Sequence, residues 1–296
     1  MRAPIDIDGS AYSTSRAPSD FSEHTLTRDV AFNRHSKNQQ GTHISPFDQG
    51  HIDVGTDDIK VRLVQGINER DFARVLKKAQ MATIGLDIEA ADDDDEGWEE
   101  MLKGGLQTAL ESQTIVFEVS GVSRTATHQI VRSRRAAFHQ QSQRASWMGQ
   151  HPNVRIPESV WRDSHVRDKW YKAIQACHEA YSAACTQDIS YQDARFILPE
   201  GTTTYIMCEY TVREFLAVYA YRACYLFQWE ICHVFHEMGR LLTAAHPWLE
   251  PYVKITCERS HICEFQGWET VEGQCPLPYA IEENRRYKPK KELQIT

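Results

Sequence analysis

Residues 119–157 carry six arginines and no Asp or Glu, in a 296-residue chain whose formal net charge is −8. The arginines are Arg124, Arg132, Arg134, Arg135, Arg144 and Arg155, interleaved with His128, Gln129, His139, Gln140, Gln141, Ser142 and Gln143. A fold cannot bury so many like charges unless an anion or an acidic partner meets them, because an ionised group removed from water without a counter-charge is very costly. Arginine grips phosphates and planar anions bidentately. The neighbouring amides and hydroxyl are the donors and acceptors that read a polar heterocycle. The window therefore predicts a pocket for a phosphorylated small molecule.

The rest of the chain narrows the class. With 41% hydrophobic and 25% charged residues it is globular, and long enough for one large domain with appendages. Coating nucleic acid needs a broad basic face, whereas this basic window is local and holds only Phe138 and Trp147 as stacking aromatics. The longest apolar stretch, 215–227, is interrupted by Arg222 and too short to span a bilayer. The start lacks the apolar run of a signal peptide. All eight cysteines fall between Cys177 and Cys275, unlike the framework of a small disulfide-rich domain. These features predict a cytoplasmic protein with neither nucleic acid nor membrane as partner.

Along the chain, residues 1–58 are polar with little periodicity and read as an N-terminal extension, leaving 59–296 as the domain. Alternation predicts a strand over 59–65, and helical spacing of Phe72, Val75, Leu76 and Ala79 predicts a helix over 69–85. The acidic run 92–96 reads as a solvated loop opening the next helix. A strand over 114–120 is expected to break at Gly121, with a helix over 122–135 following. On that helix Arg124, His128, Arg132 and Arg135 would share one face. Two readings of the face stand: a ligand site, or a solvated surface salt-bridged to the acidic remainder. Further helices are expected over 166–186, 211–222 and 226–242, with a short turn over 192–198 that carries Arg195. Arg222 lies in an apolar context; it either pairs with Glu209, Glu214 or Glu230, or serves a ligand.

Several catalytic motifs are missing: a Gly-x-Gly-x-x-Gly turn, a P-loop, His-Glu-x-x-His and Gly-x-Ser-x-Gly. Cys257, His261, Cys263 and Cys275 lack a paired Cys-x-x-Cys, so no metal site is expected, and His233 and His236 read as packed helix residues.

The segment 121–144 resembles the signature of the flavin-dependent thymidylate synthases, Arg-His-Arg, seven residues, then Ser. Here it is Arg132-Ser133-Arg134, seven residues, Ser142. Two further blocks follow in family order: 193–199, and 211–215 running on to Tyr221-Arg222 and 228–231. The resemblance implies an α+β fold, a twisted antiparallel sheet flanked by helices, assembled as a homotetramer with composite sites between subunits. It implies reductive C5-methylation of a uracil nucleotide, with FAD reduced by NADPH and methylenetetrahydrofolate as one-carbon donor. Carried over by position, Gln129, Arg132, Gln140, Gln141, Ser142, Gln143, Arg144 and Arg195 would hold the nucleotide, with Arg144 and Arg195 at the phosphate. Arg222 would sit by the uracil as the catalytic cation that favours ionisation at N3. Thr114, Arg132, Ser133, Arg134, Gln140, Thr211 and Arg213 would hold the flavin, Arg134 and Arg213 at its pyrophosphate.

The departures fall mostly on the flavin side. Ser133 replaces the signature histidine, Ser112 stands for the histidine of Glu-His, and Thr211 and Ala217 stand for asparagines. His139 takes the place of a smaller Ser or Asn, and Ala145 that of a tyrosine. Two functions remain open: a methylase specialised for another nucleotide, or a homologue with a degenerate flavin site that binds without turnover. The retained arginines favour the former, with UMP over dUMP because Ala145 leaves room near the sugar, as in the UMP methylases of nucleoside-antibiotic pathways.

Overall fold

The computed structural model describes residues 52–86, 97–103, 107–148 and 152–260. Its centre is a four-stranded antiparallel sheet in the order β2-β3-β6-β4: β2 (Lys60–Gln65), β3 (Thr114–Ser123), β6 (Thr203–Thr211) and β4 (Ala136–Gln140). A separate parallel pair joins β1 (Ile52–Val54) to β5 (Val154–Ile156), in register from Ile52↔Val154 to Val54↔Ile156. Strand β1 therefore gives residues 52–54 of the expected extension a paired partner, an element too short for its alternation to be visible in sequence.

The sheet is two-sided, as alternation requires. Ile115, Phe117 and Val119 of β3 and Ile206, Cys208 and Tyr210 of β6 are fully buried, while their neighbours are half-exposed. The buried face is covered by α1 (Glu69–Thr83), α7 (Val212–Arg222) and α8 (Trp229–Ala245), which contribute Phe72, Leu76, Phe215, Phe235 and Met238 to one core. Helix α1 is capped by Asn68, whose side chain accepts from Asp71 N. The short α2 (Trp98–Lys103) adds Trp98, whose ring meets Trp248 edge-on at 4.7 Å. At Gly239 α8 packs against the Tyr219 ring of α7; a Cβ there would stand 2.5 Å from Cε2 of Tyr219.

Two expectations around the arginine window are corrected. Gly121 does not end β3: with φ +79° it forms a bulge, and the strand continues to Ser123. Helix α3 then covers only Arg124–Ile130 and closes at Val131, so Arg132 and Arg135 lie in the following turn, not on a shared face with Arg124 and His128. The expected helix over 226–242 begins at Trp229, capped by the Gln228 side chain. The sequence reading placed no strand at Ala136–Gln140, which is β4, an edge strand.

The remaining elements are α4 (Glu158–Arg162), the long α5 (Ser164–Thr186), α6 (Tyr191–Ala194) with a 3₁₀ turn at Arg195–Ile197, and α9 (Thr256–Ser260); α4 and α5 pack Val160 and Ile174 against β5, while α9 adds Cys257 to the main core. Helix α5 buries only Ile174, His178 and Tyr181. Among the described residues no helix is long and apolar enough to cross a membrane and no group of three metal-ligating side chains gathers. The run 92–96 and His261, Cys263 and Cys275 lie outside the described residues.

Candidate active site

One of the six arginines is a structural part. Arg155 is buried; its Nε donates to the Gly121 carbonyl at 2.8 Å and Nη1 to the carbonyls of Gly55 and Asp57, both at 2.7 Å. Asp53 at 3.5 Å and Glu230 at 3.8 Å supply its counter-charge. Burial pulls the guanidinium below its ordinary value, with Asp53 and then Glu230 opposing. Glu230 in turn accepts from the Ser123 backbone N–H and, at 2.7 Å, from Ser123 Oγ. Ser123 caps α3 by accepting from Ala126 N at 3.1 Å. A buried ionic node thus fixes the start of the helix that carries Gln129.

The other five arginines form no salt bridge with a described carboxylate. Arg132, Arg134, Arg135 and Arg144 are exposed, and their side chains make no hydrogen bond or ion pair among the described residues. Arg124 is half-buried at the start of α3, where burial lowers its pKa, Glu200 opposes, and the positive charge of Arg195 adds to the lowering. The segment that carries Arg195 is tied to α3. The link is the loop after Arg195: Arg124 N donates to the Thr202 carbonyl and Thr125 N to that of Glu200. Arg195 itself bonds the Gln192 carbonyl at 3.2 Å and lies over the Phe196 ring.

Past β4, Gln140 Nε2 donates to Thr127 Oγ1 at 2.8 Å, tying the strand to α3. Gln141 N bonds the Tyr205 carbonyl, after which Ser142 organises a turn by accepting from Ala145 N and Ser146 N. Gln143 is buried with Nε2 lacking a partner among the described residues, and the Arg144 side chain is exposed.

Arg222 ends α7. The structure gives it none of the expected carboxylates: Glu230 is committed to Ser123 and Arg155, and neither Glu209 nor Glu214 forms an ion pair with it. Its Nη2 donates to the Gln129 carbonyl at 3.3 Å, an oxygen that also accepts from Arg132 N. Nε is buried without a partner among the described residues. An unfilled buried donor on a cation is a standing cost that a ligand acceptor would remove.

At the opposite end of the sheet Thr114 and Thr211 are register partners. The Thr211 hydroxyl caps α7 by accepting from Glu214 N, while Arg213 is exposed and bridges Glu111 at 2.8 Å. The turn carrying Arg134 leads into Ala136, which pairs with Tyr210 next to Thr211. Ser133 is buried beside Tyr210, whose phenol is pushed well above its ordinary value by burial and by Cys208, with Ser133 opposing. Thr114, Arg134, Thr211 and Arg213 thus gather at one end, Gln140–Arg144, Arg124 and Arg195 at the other, and Gln129, Arg132 and Arg222 stand between. The five residues of β4 separate Arg134 from Ser142 by roughly 14 Å or more, so one chain does not bring all these groups around a single point.

The family model of the thymidylate synthase complementing proteins matches residues 69–248. The chain belongs to this family. Flavin-dependent thymidylate synthases of Geobacter sulfurreducens and Pyrococcus abyssi are 38% and 37% identical to it over 145 and 138 residues, 48% and 45% of this chain. The aligned regions span 62% and 56% of those proteins. That of Nitratidesulfovibrio vulgaris is 31% identical over 185 residues, 60% of this chain and 75% of the relative. The fold is similar to that of the UMP/dUMP methylase PolB from Streptomyces cacaoi bound with 5-Br dUMP, with a TM-score of 0.54 at 18% identity, over 68% of this chain and 97% of that one. Family membership was legible in the spacing of Arg132, Arg134 and Ser142. The aromatic neighbours of Arg222, Tyr221 and Phe227, were not singled out, although aromatics one before and five after a charge in an apolar run were a usable signal.

Proposed function

We propose that the chain catalyses reductive C5-methylation of a uracil nucleotide, UMP in preference to dUMP. Methylenetetrahydrofolate would be the one-carbon donor, with FAD as cofactor and NADPH as its reductant. The observation that carries this reading is Arg222, a cation with a buried unfilled Nε and no carboxylate among the described residues, flanked by Gln129 and Arg132. Family membership supports the same reading.

Arg144 and Arg195 would take the phosphate, since neither pairs with a carboxylate among the described residues and the charge of Arg195 adds to that at Arg124. Gln129, Arg132, Gln141, Ser142 and the unpartnered Gln143 amide would orient sugar and base. Arg222 beside N3 would favour the anionic base and so raise electron density at C5. Thr114, Arg134, Thr211 and Arg213 at one end, with Arg132 next to them, would fit a dinucleotide pyrophosphate: they offer hydroxyls and cations, and Arg134 has no counter-charge among the described residues. When bound, the flavin would supply the redox chemistry of the transfer. Gln140 would reach it only by sharing its bond to Thr127, and Ser133 only from its buried seat beside Tyr210. The separation along β4 supports sites completed between subunits of a homotetramer, which we place in the cytoplasm. The exposed Ala145 beside Arg144 would leave space for a 2′-hydroxyl if the sugar lies against it.

The test is purified protein loaded with FAD, given NADPH, methylenetetrahydrofolate and either UMP or dUMP, with product mass read by mass spectrometry. A methylated product, formed faster from UMP, is expected. Protein that takes up no FAD and yields no product would replace the enzyme with a nucleotide-binding homologue.

A further inference from the structure

Among the described residues, Arg222 is flanked by rings and not by a counter-charge. Its guanidinium lies 5.2 Å from the centroid of the Tyr221 ring and 5.5 Å from that of Phe227. The two rings are 6.1 Å apart and inclined at 54°. Tyr221 comes from the last turn of α7. Phe227 comes from the segment between α7 and α8, where its N–H bonds the Cys224 carbonyl at 3.0 Å. The guanidinium's single hydrogen bond among the described residues is the 3.3 Å contact with the Gln129 carbonyl. Both rings lie within the range where a cation is attracted to an aromatic face.

The choice of partner has a chemical consequence. A carboxylate would fix the guanidinium but cancel much of its field and compete with any anionic ligand. An aromatic face attracts the cation through its quadrupole and carries no net charge. A carbonyl takes one N–H and likewise leaves the charge intact. Among the described residues the guanidinium is therefore held without a neutralising charge and with a buried Nε that has no partner.

We propose that Tyr221 and Phe227 are positioning residues that hold Arg222, un-neutralised, against the base of a bound uracil nucleotide, and thereby set how readily that base loses its N3 proton to solvent. The proposal rests on the nucleotide reading above and assigns the tuning of that site to two aromatic side chains. Removing either ring's quadrupole lets the guanidinium tilt away and weakens the charge felt at N3.

The probe is 5-fluoro-UMP, whose fluorine reports N3 ionisation by its ¹⁹F resonance, bound to the full-length protein and titrated with pH. Phe227→Leu and Tyr221→Leu keep apolar bulk and lose the quadrupole; Phe227→Tyr and Tyr221→Phe keep both. We expect the N3 pKa of the bound nucleotide to rise by about one unit, a tenfold loss of the anion's advantage, in each leucine variant. It should stay near the wild-type value in both aromatic variants, which a merely space-filling role would not distinguish. Tyr221 is 36% exposed, so its variants report even where Phe227→Leu fails to fold. Bound N3 ionisation that is unchanged in the leucine variants overturns the clamp while the nucleotide site stands. Wild-type protein that binds neither 5-fluoro-UMP nor 5-fluoro-dUMP overturns the site and the clamp together.

Discussion

Replacing Arg155 by Met should cost about 4 kcal/mol of folding stability, near the middle of the roughly 3–5 kcal/mol lost when one member of a buried ion pair is removed. The substitution strips the counter-charge from Asp53 and Glu230, which are 5% and 1% exposed. It also deprives the carbonyls of Gly55, Asp57 and Gly121 of their donors. Three hydrogen bonds to a charged donor, at about 1.5–3 kcal/mol each, would sum to more. The sum is not reached, because methionine fills part of the space and Glu230 keeps its two bonds to Ser123. Against a total stability of roughly 5–15 kcal/mol the loss is large. Urea unfolding followed by circular dichroism reads it directly: with m of about 2 kcal/mol/M the midpoint should fall by about 2 M at unchanged m. Arg155→Lys, which keeps the charge but cannot reach all three carbonyls, should fall between. A midpoint within about 0.5 M of wild type for Arg155→Met would refute the node as a stabilising centre.

Gly239→Ala puts a Cβ 2.5 Å from the Tyr219 ring and should destabilise by about 1–3 kcal/mol, measured by the same unfolding. Burial lowers the pKa of both His233 and His236 in the folded state, so the unfolded chain binds more protons below about 6.5. Their contribution to stability is therefore full above that pH and is lost as pH falls towards the depressed folded values. The urea midpoint should drop between pH 7 and 5.5, and less so in His236→Asn; an equal drop in that variant would contradict the assignment. Burial pushes the Cys208 thiol up to about 12, so iodoacetamide at pH 8.5 should leave it unmodified in the native protein and label it on unfolding. Of the six described cysteines, the half-buried Cys177 and Cys185 should react first, as peptide mass mapping would show.

What could be read from sequence divides along physical lines. The arginine window was legible because charge imbalance is independent of conformation, and four of its members are exposed without carboxylates. Arg155 was counted with them, yet it is a buried structural cation; composition cannot separate a ligand-facing arginine from one whose partners, Asp53 and Glu230, lie far off in the chain. Gly121 looked like a strand end because glycine usually breaks pairing, but at φ +79° it makes a bulge that the β6 partner bridges. Strand β4 was missed because Ala-Ala-Phe-His-Gln lacks β-branched residues; its pairing with β6, not its propensity, makes it a strand. The helix over 122–135 failed for the same reason, since residues 131–135 form the turn that this pairing requires. Helix α1 and the edge strand β2 followed their periodicity to within two residues.

The central claim is that Arg222 and its neighbours activate C5 of a uracil nucleotide. Its most direct test is release of tritium from C5 of 5-³H-labelled UMP and dUMP in parallel, with FAD, NADPH and methylenetetrahydrofolate present. The account predicts release mainly from UMP, and its loss in Arg222→Met. Flavin-loaded protein that releases tritium from neither nucleotide would contradict it.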